Sequence, residues 1–493
     1  MKLFDLISGL DVESSSGTLD VDVTNIAFDS RDVRKNGLFV AITGFATDGH
    51  KYIDKAIENG AAVVVVETPV KVNSSITVIQ TKNSRSALAG IASNFYNNPT
   101  EKMNMVGITG TNGKTSITYF VKSILDHQSI STGVIGTIGT WINDRKIETP
   151  NTTPESLTLQ KVCSEMVSEG VKYCVMEVSS HALDLNRVAY SRFDSAIYTN
   201  LTPDHLELHK DMDHYFEAKA KLFQMTSRTN IINRDDAYGK RLIHRSLQRT
   251  DIETLTYGLT PEADIFATDI KYLPDYTEYK VVTTSGTFEV KVNIPGEIYV
   301  YNSLAAVAWA YSEGMSFDAI ASGIQALEGV KGRFETVYNS HERKVVIDFA
   351  HTEDGLLKAL QTLKPFVKGR LMLVFGVYSA PGALGLDKRI GMGEVAAKHA
   401  DYAYVTSDNP KEQDPVAIID DVITAMLKIS KQHEAIVDRK TAIEKALEDM
   451  KAGDVLLISG KGHETAQVIG KVEVPFNEKE IVQTKMSLLF KDK

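Results

Sequence analysis

The chain reads as an α/β protein of about three domains, and three observations point there. Strand-type and helix-type runs alternate from Met105 to Val178 and again from Val345 to Ile458. That alternation is the signature of parallel sheets with helices on both faces. At 493 residues the chain exceeds what one or two hydrophobic cores usually organise, and about three domains follow. A glycine-rich turn, Gly110-Thr111-Asn112-Gly113-Lys114-Thr115, joins one strand-type run to one helix-type run.

Residues 1 to 98 form a small α/β unit. Its strand-type runs are Gly37–Ala41 and Ala61–Val66, with a helical stretch from Tyr52 to Asn59 between them. The turn-rich segment Asn97–Glu101 is a first linker. The central part, 99–331, opens with the strand Met105–Thr109 and the helix Ser116–Asp126, whose apolar residues are Ile117, Phe120, Val121 and Leu125. Strand Thr132–Ile138, helix Pro154–Glu169 and strand Tyr173–Val178 follow. Residues 252–294 change to short β runs, and a helix is expected over Ser303–Glu313. Gly329–Arg333 reads as a second linker. In 332–493 the strands Val345–Phe349, Leu371–Phe375, Tyr402–Val405 and Val455–Ile458 alternate with helices.

Composition narrows the function classes. The formal net charge of −10 argues against a nucleic-acid-coating surface. An acidic protein that handles phosphates must place its cations locally. Cys163 and Cys174 have no zinc-type spacing, which suggests a reducing compartment without a thiolate metal site. Cys174 lies in an apolar run and reads as core. The N-terminus carries an acid early, and no apolar run approaches the roughly 18 residues of a membrane span. A cytoplasmic protein without membrane insertion is expected, with a monomer as the default state.

The turn at Gly110–Thr115 carries the sharpest chemistry. Glycines let backbone N–H groups converge on one concavity, and a helix N-terminus adds positive potential. Lys114 would reach the β- and γ-phosphates of a nucleotide, and the Thr115 hydroxyl would sit on Mg²⁺. The general phosphate-loop pattern would place its first glycine at residue 108, which is Ile108 here. The loop is therefore the shorter variant G-T-x-G-K-T.

Other stretches are weaker taken singly. Glu177 ends a buried strand, where open α/β sheets bind ligands, and is a candidate Mg²⁺ ligand; the alternative is an ion-paired strand-end carboxylate. Asn200–His209 is dense in metal and acid/base residue types, although histidine suits Mg²⁺ less than oxygen does. Spacing alone does not distinguish Lys219 or Lys221 from ordinary exposed lysines. Three loops follow strands in the last third: Asp348–His351, Ser407–Lys411 and Gly460–Glu464. Strand-end loops of that kind are candidate binding loops.

Taken together, these stretches resemble the Mur ligase family over essentially the whole chain. The resemblance rests on Asp29-Ser30-Arg31 with Gly37–Val40, the loop Gly110–Thr115, Asn151-Thr152-Thr153-Pro154, Glu177–His181 and Asn200–His205. It continues through Ala218-Lys219-Ala220, Gly332-Arg333, Asp408-Asn409-Pro410 and Gly460–Glu464. It implies a UDP-substrate domain, a P-loop ATPase-type domain with a central parallel sheet, and a C-terminal Rossmann-like domain that carries an amino acid. The implied reaction uses ATP to activate a carboxylate of UDP-N-acetylmuramoyl-L-alanyl-D-glutamate as an acyl phosphate. A free amino acid then attacks it.

The resemblance also assigns residues. Gly110, Thr111, Asn112, Gly113, Lys114, Thr115, Ser116, Asn302, Arg333 and Asp348 would bind ATP. Thr115, Glu177, His205 and a carbamoylated Lys219 would hold Mg²⁺, and Lys114, Glu177, His205 and Lys219 would be catalytic. Ser30, Phe45, Ala46, Thr47, Asn151, Thr152, Thr153, Ser179 and Arg187 would face the UDP-sugar peptide. Arg389, Asp408, Asn409, Pro410, Lys411, Gly460 and Glu464 would face the amino acid.

Two departures from the family pattern bear on the amino acid. Where the family runs into a charged Cys-Gly-Gly-Asp-Arg-Asp type loop, residues 377–389 are longer and lack the early charges. Members that use meso-diaminopimelate carry Asp-Asn-Pro-Arg, and this chain has Lys411 at the arginine position. A lysine cannot make the bidentate fork of a guanidinium. Arg389 could supply that fork, and Glu464 could take the distal ammonium. Diaminopimelate is the expected amino acid. The alternatives are a diverged paralogue that uses L-lysine or another acceptor, and a nucleotide-binding protein without turnover. The phosphate and metal positions are intact, which disfavours the last.

Overall fold

The computed structural model describes residues 1–490 except Ala46, His205–Glu207, Tyr378 and Pro381. The chain divides into two compact units, one built of Met1–Gly110, Leu125–Thr199 and Asp213–Thr256, the other of Thr111–Ile124, Asn200–Met212 and Tyr257–Lys493.

The first unit holds two sheets. In the N-terminal sheet, strands Thr77–Thr81, Ala61–Val66, Gly37–Val40 and Asn25–Ala27 run parallel in that order, and Val12–Ser16 pairs antiparallel at the edge. The run of valines is a strand buried on both faces. Val63 and Val65 enter one core with Leu38, Val40 and Leu88, while Val64 and Val66 enter the other with Phe39, Ile53 and Ala56. Each fully buried valine contributes about 1.5–3 kcal/mol. The expected helix Tyr52–Asn59 is a 3₁₀ turn, Gly49–Tyr52, followed by the α-helix Ile53–Glu58. Asp48 starts the turn early by accepting the His50 N–H.

The second sheet of this unit places Asn104–Thr109 between Tyr173–Glu177 and Phe193–Tyr198, all parallel. Thr132–Gly136 flanks Tyr173–Glu177, and Thr226–Asn233 flanks Phe193–Tyr198. Two short antiparallel strands, Gly139–Ile142 and Arg145–Ile147, extend one edge. Glu177 lies beside Ile108 in register, so its carboxylate emerges at the sheet edge where the glycine-rich turn begins. Cys174 is buried, as its apolar surroundings indicated.

In the second unit, Ile265–Tyr272, Thr277–Thr283 and Gly286–Val292 form an antiparallel meander. The following helix spans Glu297–Ser312 and starts six residues ahead of the expected Ser303. Gly296, at a φ of +108°, turns the chain directly into it. The C-terminal sheet runs in the order Glu335–Ser340, Arg343–Asp348, Val455–Ser459, Leu371–Phe375, Tyr402–Val405, His433–Ala435. All neighbours are parallel except the first pair. Val345, Ile347, Met372, Val374, Leu456 and Ile458 face a core closed by helices Arg439–Asp449 and Glu478–Leu489.

Residues 377–389 depart from the loop expected of them. Gly382–His399 is one helix, so Gly382–Arg389 forms its first turns. Gly385 lies within this helix, and a Cβ there would overlap the Ala380 carbonyl, so close packing rather than a loop turn accounts for the glycine.

The same unit buries several charges. Arg439 and Glu478 are both sealed from solvent, and the Arg439 Nε donates to Glu478 Oε1 at 2.7 Å. Arg439 Nη2 also donates to the Ser459 carbonyl at 2.8 Å. His463 and His351 pack on the Phe349 ring. Burial pushes the His463 pKa down to about 3 and that of His351 down to about 4, with nearby cations adding to the effect.

Two outcomes follow. Glu478→Ala leaves a buried guanidinium uncompensated, and should destabilise the chain by about 3–5 kcal/mol in denaturant unfolding. Arg439→Met with Glu478→Leu should recover much of that loss. Second, both histidines are neutral when folded, whereas unfolded histidine titrates near pH 6.5. Their stabilising contribution is complete above pH ~6.5 and is lost as pH falls toward the folded values, at up to about 1.4 kcal/mol per pH unit per histidine. Burial raises the pKa values of Asp348, Asp408 and Glu478, which acts with the opposite sign. The comparison is therefore internal: His351→Gln with His463→Gln should flatten the acid limb of Tm against pH relative to the parent.

Candidate active site

The glycine-rich turn is fixed by the geometry its glycines permit. Gly110 and Gly113 have φ of +150° and +93°. A Cβ on Gly113 would overlap the Asn302 amide oxygen, so the turn needs glycine there for space as well as for conformation. Helix Lys114–His127 starts within it, directly after Gly113, which places the helix N-terminus at the turn. Lys114 Nζ donates to the Thr111 carbonyl at 2.9 Å. Arg333 Nη2 donates to the Thr115 hydroxyl at 3.1 Å, and the guanidinium lies over the Phe349 ring, 4.4 Å from its centroid. One arginine thus joins the lysine at this end of the turn.

Asn200, named in the sequence only as the first residue of the stretch Asn200–His205, clamps this turn. The Asn112 N–H donates to Asn200 Oδ1 at 3.0 Å, and the Thr111 N–H donates to the Asn200 carbonyl at 2.9 Å. Thr202 N–H donates to the Thr111 hydroxyl at 3.0 Å. The segment expected to supply metal ligands therefore also holds the phosphate loop in shape. His205 within it lies outside the described residues, as does Ala46.

Asp348 is placed by backbone donors: the N–H groups of Phe334 and Ala350 reach its two oxygens at 2.7 and 2.8 Å. The adjacent Gly332 has a φ of +65°, and a Cβ there would overlap the His463 backbone. The Arg333 guanidinium opposes the burial that raises the Asp348 pKa. Ser116 and Asn302 are buried beside the turn.

In the other unit, Glu177 is buried and held on both oxygens by one residue. The Thr137 N–H donates to Oε1 at 2.9 Å and the Thr137 hydroxyl to Oε2 at 3.0 Å. Thr137 went unnoticed in the sequence because it is forty residues away. A Cβ on Gly136 would overlap Glu177 Oε1, so a larger residue there would have to shift the carboxylate. Lys219 is 2% exposed and donates to the Gly110 carbonyl at 2.8 Å. Its ammonium also lies 4.5 Å from the Tyr215 ring centroid. The fold separates the two lysines that spacing alone did not: Lys219 is buried, whereas Lys221 is half-exposed and paired with Asp184.

Several residues expected at the UDP-sugar peptide converge around Glu177. Thr153 donates its hydroxyl to the Glu177 carbonyl at 2.8 Å and accepts the Ser179 N–H at 3.1 Å. Thr152 meets the Thr137 hydroxyl at 3.1 Å. Arg187 Nη1 donates to the Thr153 carbonyl at 3.1 Å, and Ser179 caps the helix Ser180–Asp184. Asn151 is exposed in the same loop. Ser30, Phe45 and Thr47 lie instead on the N-terminal sheet's loops. Ser30 is buried and accepts from Asn59, Phe45 is 81% exposed, and Thr47 meets Tyr52.

The amino-acid candidates form a second cluster. Lys461, fully buried, donates to Asn409 Oδ1 at 3.0 Å and to Glu464 Oε2 at 2.7 Å. Asn409 Nδ2 donates to the same Glu464 oxygen at 3.1 Å. Asp408 is buried, and a Cβ on Gly460 would lie 2.6 Å from its Oδ2. Pro410 adjoins them, and Lys411 is exposed in the left-handed conformation at a φ of +53°. Its backbone joins the hairpin Ala466–Ile469/Val472–Pro475 through Val468 and Gly470. Arg389 is not in this cluster's hydrogen bonds. Its Nη1 donates to Asp421 at 2.8 Å and its Nη2 to Gln413 at 2.6 Å. The motif Gly460–Glu464 contains Lys461, yet nothing local marks it as the bridge between two loops.

The Thr115 hydroxyl in one unit and, in the other, the Glu177 carboxylate, to which Gly136 leaves its space, are each oxygen donors of the kind Mg²⁺ takes. Among the described residues no group of three or more histidine, cysteine, aspartate or glutamate side chains is placed to hold a metal ion. Lys219, as the ammonium that donates to Gly110, would repel a cation.

Comparison with known proteins agrees with this geometry. Residues 22–96 match the Mur ligase family catalytic domain, 108–310 the Mur ligase middle domain, and 332–462 the Mur ligase glutamate ligase domain. The chain is 43% identical over 481 residues to the UDP-N-acetylmuramoyl-L-alanyl-D-glutamate–2,6-diaminopimelate ligase of Alkaliphilus oremlandii, covering 98% of each. It is 43% identical over 487 residues to the protein of the same name from Clostridioides difficile, covering 99% of this chain and 100% of that one. A solved structure with that ligase name superposes with a TM-score of 0.71 at 29% identity, covering 99% of both chains. The MurF ligase of Thermotoga maritima, solved with ADP, shares the fold at a TM-score of 0.64 and 18% identity, with 95% of this chain and 99% of that one covered. With its phosphate loop, its strand-end carboxylate and this full-length likeness, the chain belongs to the Mur ligase family.

Proposed function

We propose that the chain is an ATP-dependent ligase that adds meso-diaminopimelate to UDP-N-acetylmuramoyl-L-alanyl-D-glutamate, a step of peptidoglycan precursor synthesis. The observation that carries this reading is the phosphate turn itself. Lys114 and Arg333 flank Thr115 at a helix N-terminus, in a chain whose full length matches ligases of that name. In this reading the enzyme works as a cytoplasmic monomer; among the described residues no helix is long and apolar enough to cross a membrane.

The reaction has two steps. A carboxylate oxygen of the D-glutamyl residue attacks the γ-phosphorus of ATP, giving an acyl phosphate and ADP. The free amine then attacks the acyl carbon, the tetrahedral intermediate collapses, and inorganic phosphate leaves as the amine gives up its proton. The protein's part is positioning and charge neutralisation. The N–H groups of Gly110–Ser116 and the Lys114 ammonium hold the β- and γ-phosphates, and Arg333 faces them. Asn302 sits against the turn to meet the adenine, and Asp348 fixes the Arg333 segment by accepting the Phe334 N–H. Thr115, Glu177, His205 and carbamoylated Lys219 would hold Mg²⁺, which when bound spreads the charge of the transferring phosphoryl group. Ser30, Phe45, Ala46, Thr47, Asn151, Thr152, Thr153, Ser179 and Arg187 hold the UDP-sugar peptide. The domains of this reading are 1–98, 99–331 and 332–493.

At the amino-acid site, Asp408, Asn409, Pro410, Gly460 and Glu464 form the pocket wall, and Glu464 takes the distal ammonium through the oxygen that Lys461 leaves free. Lys411 meets the distal carboxylate as a point charge. Arg389 would have to exchange Asp421 for the substrate to act as the fork. That engagement, with the helix Gly382–His399 in place of a charged loop, is the one observation that favours a second reading. In it the chain joins L-lysine or another acceptor to the same UDP-linked peptide.

Two measurements separate these readings. Phosphate release from ATP should require UDP-N-acetylmuramoyl-L-alanyl-D-glutamate and meso-diaminopimelate together, and Lys114→Met should lower it at least about 100-fold. Release with L-lysine alone would establish the second reading, and release with no amino acid tested would overturn both. Lys411→Arg, which restores a bidentate donor, should lower KM for diaminopimelate several-fold and leave KM for ATP unchanged.

A further inference from the structure

One cation beside the UDP-sugar peptide residues is assigned by neither the sequence nor the resemblance. Arg85 lies in the first turn of helix Ser84–Phe95. Its side chain is 19% exposed, and its Nη1 is 3.6 Å from Glu155 Oε2. The other oxygen of Glu155 forms an ion pair with the Arg187 Nε at 2.9 Å, without hydrogen-bond geometry. Two guanidiniums therefore share one carboxylate, and the group carries one net positive charge. Among the described residues that ion pair, longer than a hydrogen bond, is the contact that engages the Arg85 guanidinium. An arginine so largely buried ordinarily meets a planar, bidentate anion.

The surroundings fix this pair in place. Leu157, two residues past Glu155, packs into the N-terminal core with Ala87, Leu88 and Ile91 from the helix that carries Arg85. Ser84, the preceding residue, donates its N–H and hydroxyl to Glu67 Oε1 at 2.8 and 2.9 Å. On the other side, Arg187 Nη1 holds the Thr153 carbonyl, and Thr153 holds the Glu177 strand end. The excess charge thus stands beside the loop that carries Thr152 and Thr153, on a rigid frame.

We propose that Arg85 is a substrate-binding residue that, with Arg187, receives the carboxylate of the D-glutamyl residue that is not activated. This rests on the reading of the UDP-linked dipeptide as substrate. The dipeptide brings two carboxylates to the site, and only one becomes the acyl phosphate. The other keeps its charge throughout the reaction and needs a fixed cation. Glu155 keeps the two guanidiniums together while leaving their summed charge positive.

The test compares two ligands by titration calorimetry without ATP. One is UDP-N-acetylmuramoyl-L-alanyl-D-glutamate, and the other is the same molecule with the spectator carboxylate converted to a carboxamide. Arg85→Met should weaken binding of the first by about 10–100-fold, the range for a lost hydrogen bond to a charged group. It should leave the second nearly unchanged, with KM for ATP and for the amino acid also unchanged. Arg85→Lys, which keeps the charge and loses the fork, should show a smaller loss with the same ligand dependence, and stands in should the methionine variant fail to fold. Equal losses with both ligands would overturn the proposal in favour of a diphosphate contact or a purely structural role, and so would no loss with either. If the parent protein binds neither ligand, it is the substrate reading that fails.

Discussion

A parallel strand with parallel neighbours on both sides has only its ends to offer to chemistry. Asn104–Thr109 is such a strand, and its placement between Tyr173–Glu177 and Phe193–Tyr198 organises the rest of its unit. The sheet's faces are given over to packing, as the buried Val106, Ile108, Val175 and Ile197 show. What remains is the edge at which the strands finish. The glycine turn, Glu177 and the loop with Thr152 and Thr153 all belong to strand ends or to the loops that meet them. The register of Glu177 against Ile108 is set by backbone hydrogen bonds, so the position of the carboxylate follows from the ladder before any side chain is considered.

The side chains that hold these ends are often plain ones. Thr137 orients Glu177 with one N–H and one hydroxyl, and Asn200 orients Asn112 and Thr111 with its amide and carbonyl. Neither carries charge. Each satisfies a buried polar group whose loss would cost about 1–3 kcal/mol, and in doing so removes its freedom to turn. Lys461 does the same for Glu464 and Asn409 with a charge attached. Preorganisation of this kind is what phosphoryl and acyl transfer require, because the chemistry is mostly the placement of charge.

The elements of the fold that were legible in the sequence are those set by short-range pattern. The valine run Ala61–Val66, the alternation after Met105 and the glycine turn all declare themselves within a few residues. The partners of the site were not legible, because they are distant in the chain: Thr137 from Glu177, Asn200 from Asn112, Arg85 from Glu155. Nothing local marks a threonine or asparagine as the one that closes such a contact. The stretch 377–389 was misread for a related reason. Gly382 and Gly385 look like turn residues, yet Gly385 is there because the Ala380 carbonyl crosses close to a helix. Lys219 is the reverse case, since its burial under Tyr215 and against Gly110 depends on the sheet and cannot be seen from the helix that carries it.

Gly136 carries no functional group, yet it borders Glu177 so closely that a Cβ there would have to move the end of that side chain. An antibacterial compound that filled the space around that carboxylate would gain a durable target. Escape by enlarging the neighbouring residue carries a cost there, because a larger residue moves the carboxylate along with the drug. Gly113 against Asn302 gives the same protection to the nucleotide end. The parts of this enzyme least able to evolve resistance include positions where there is no side chain at all.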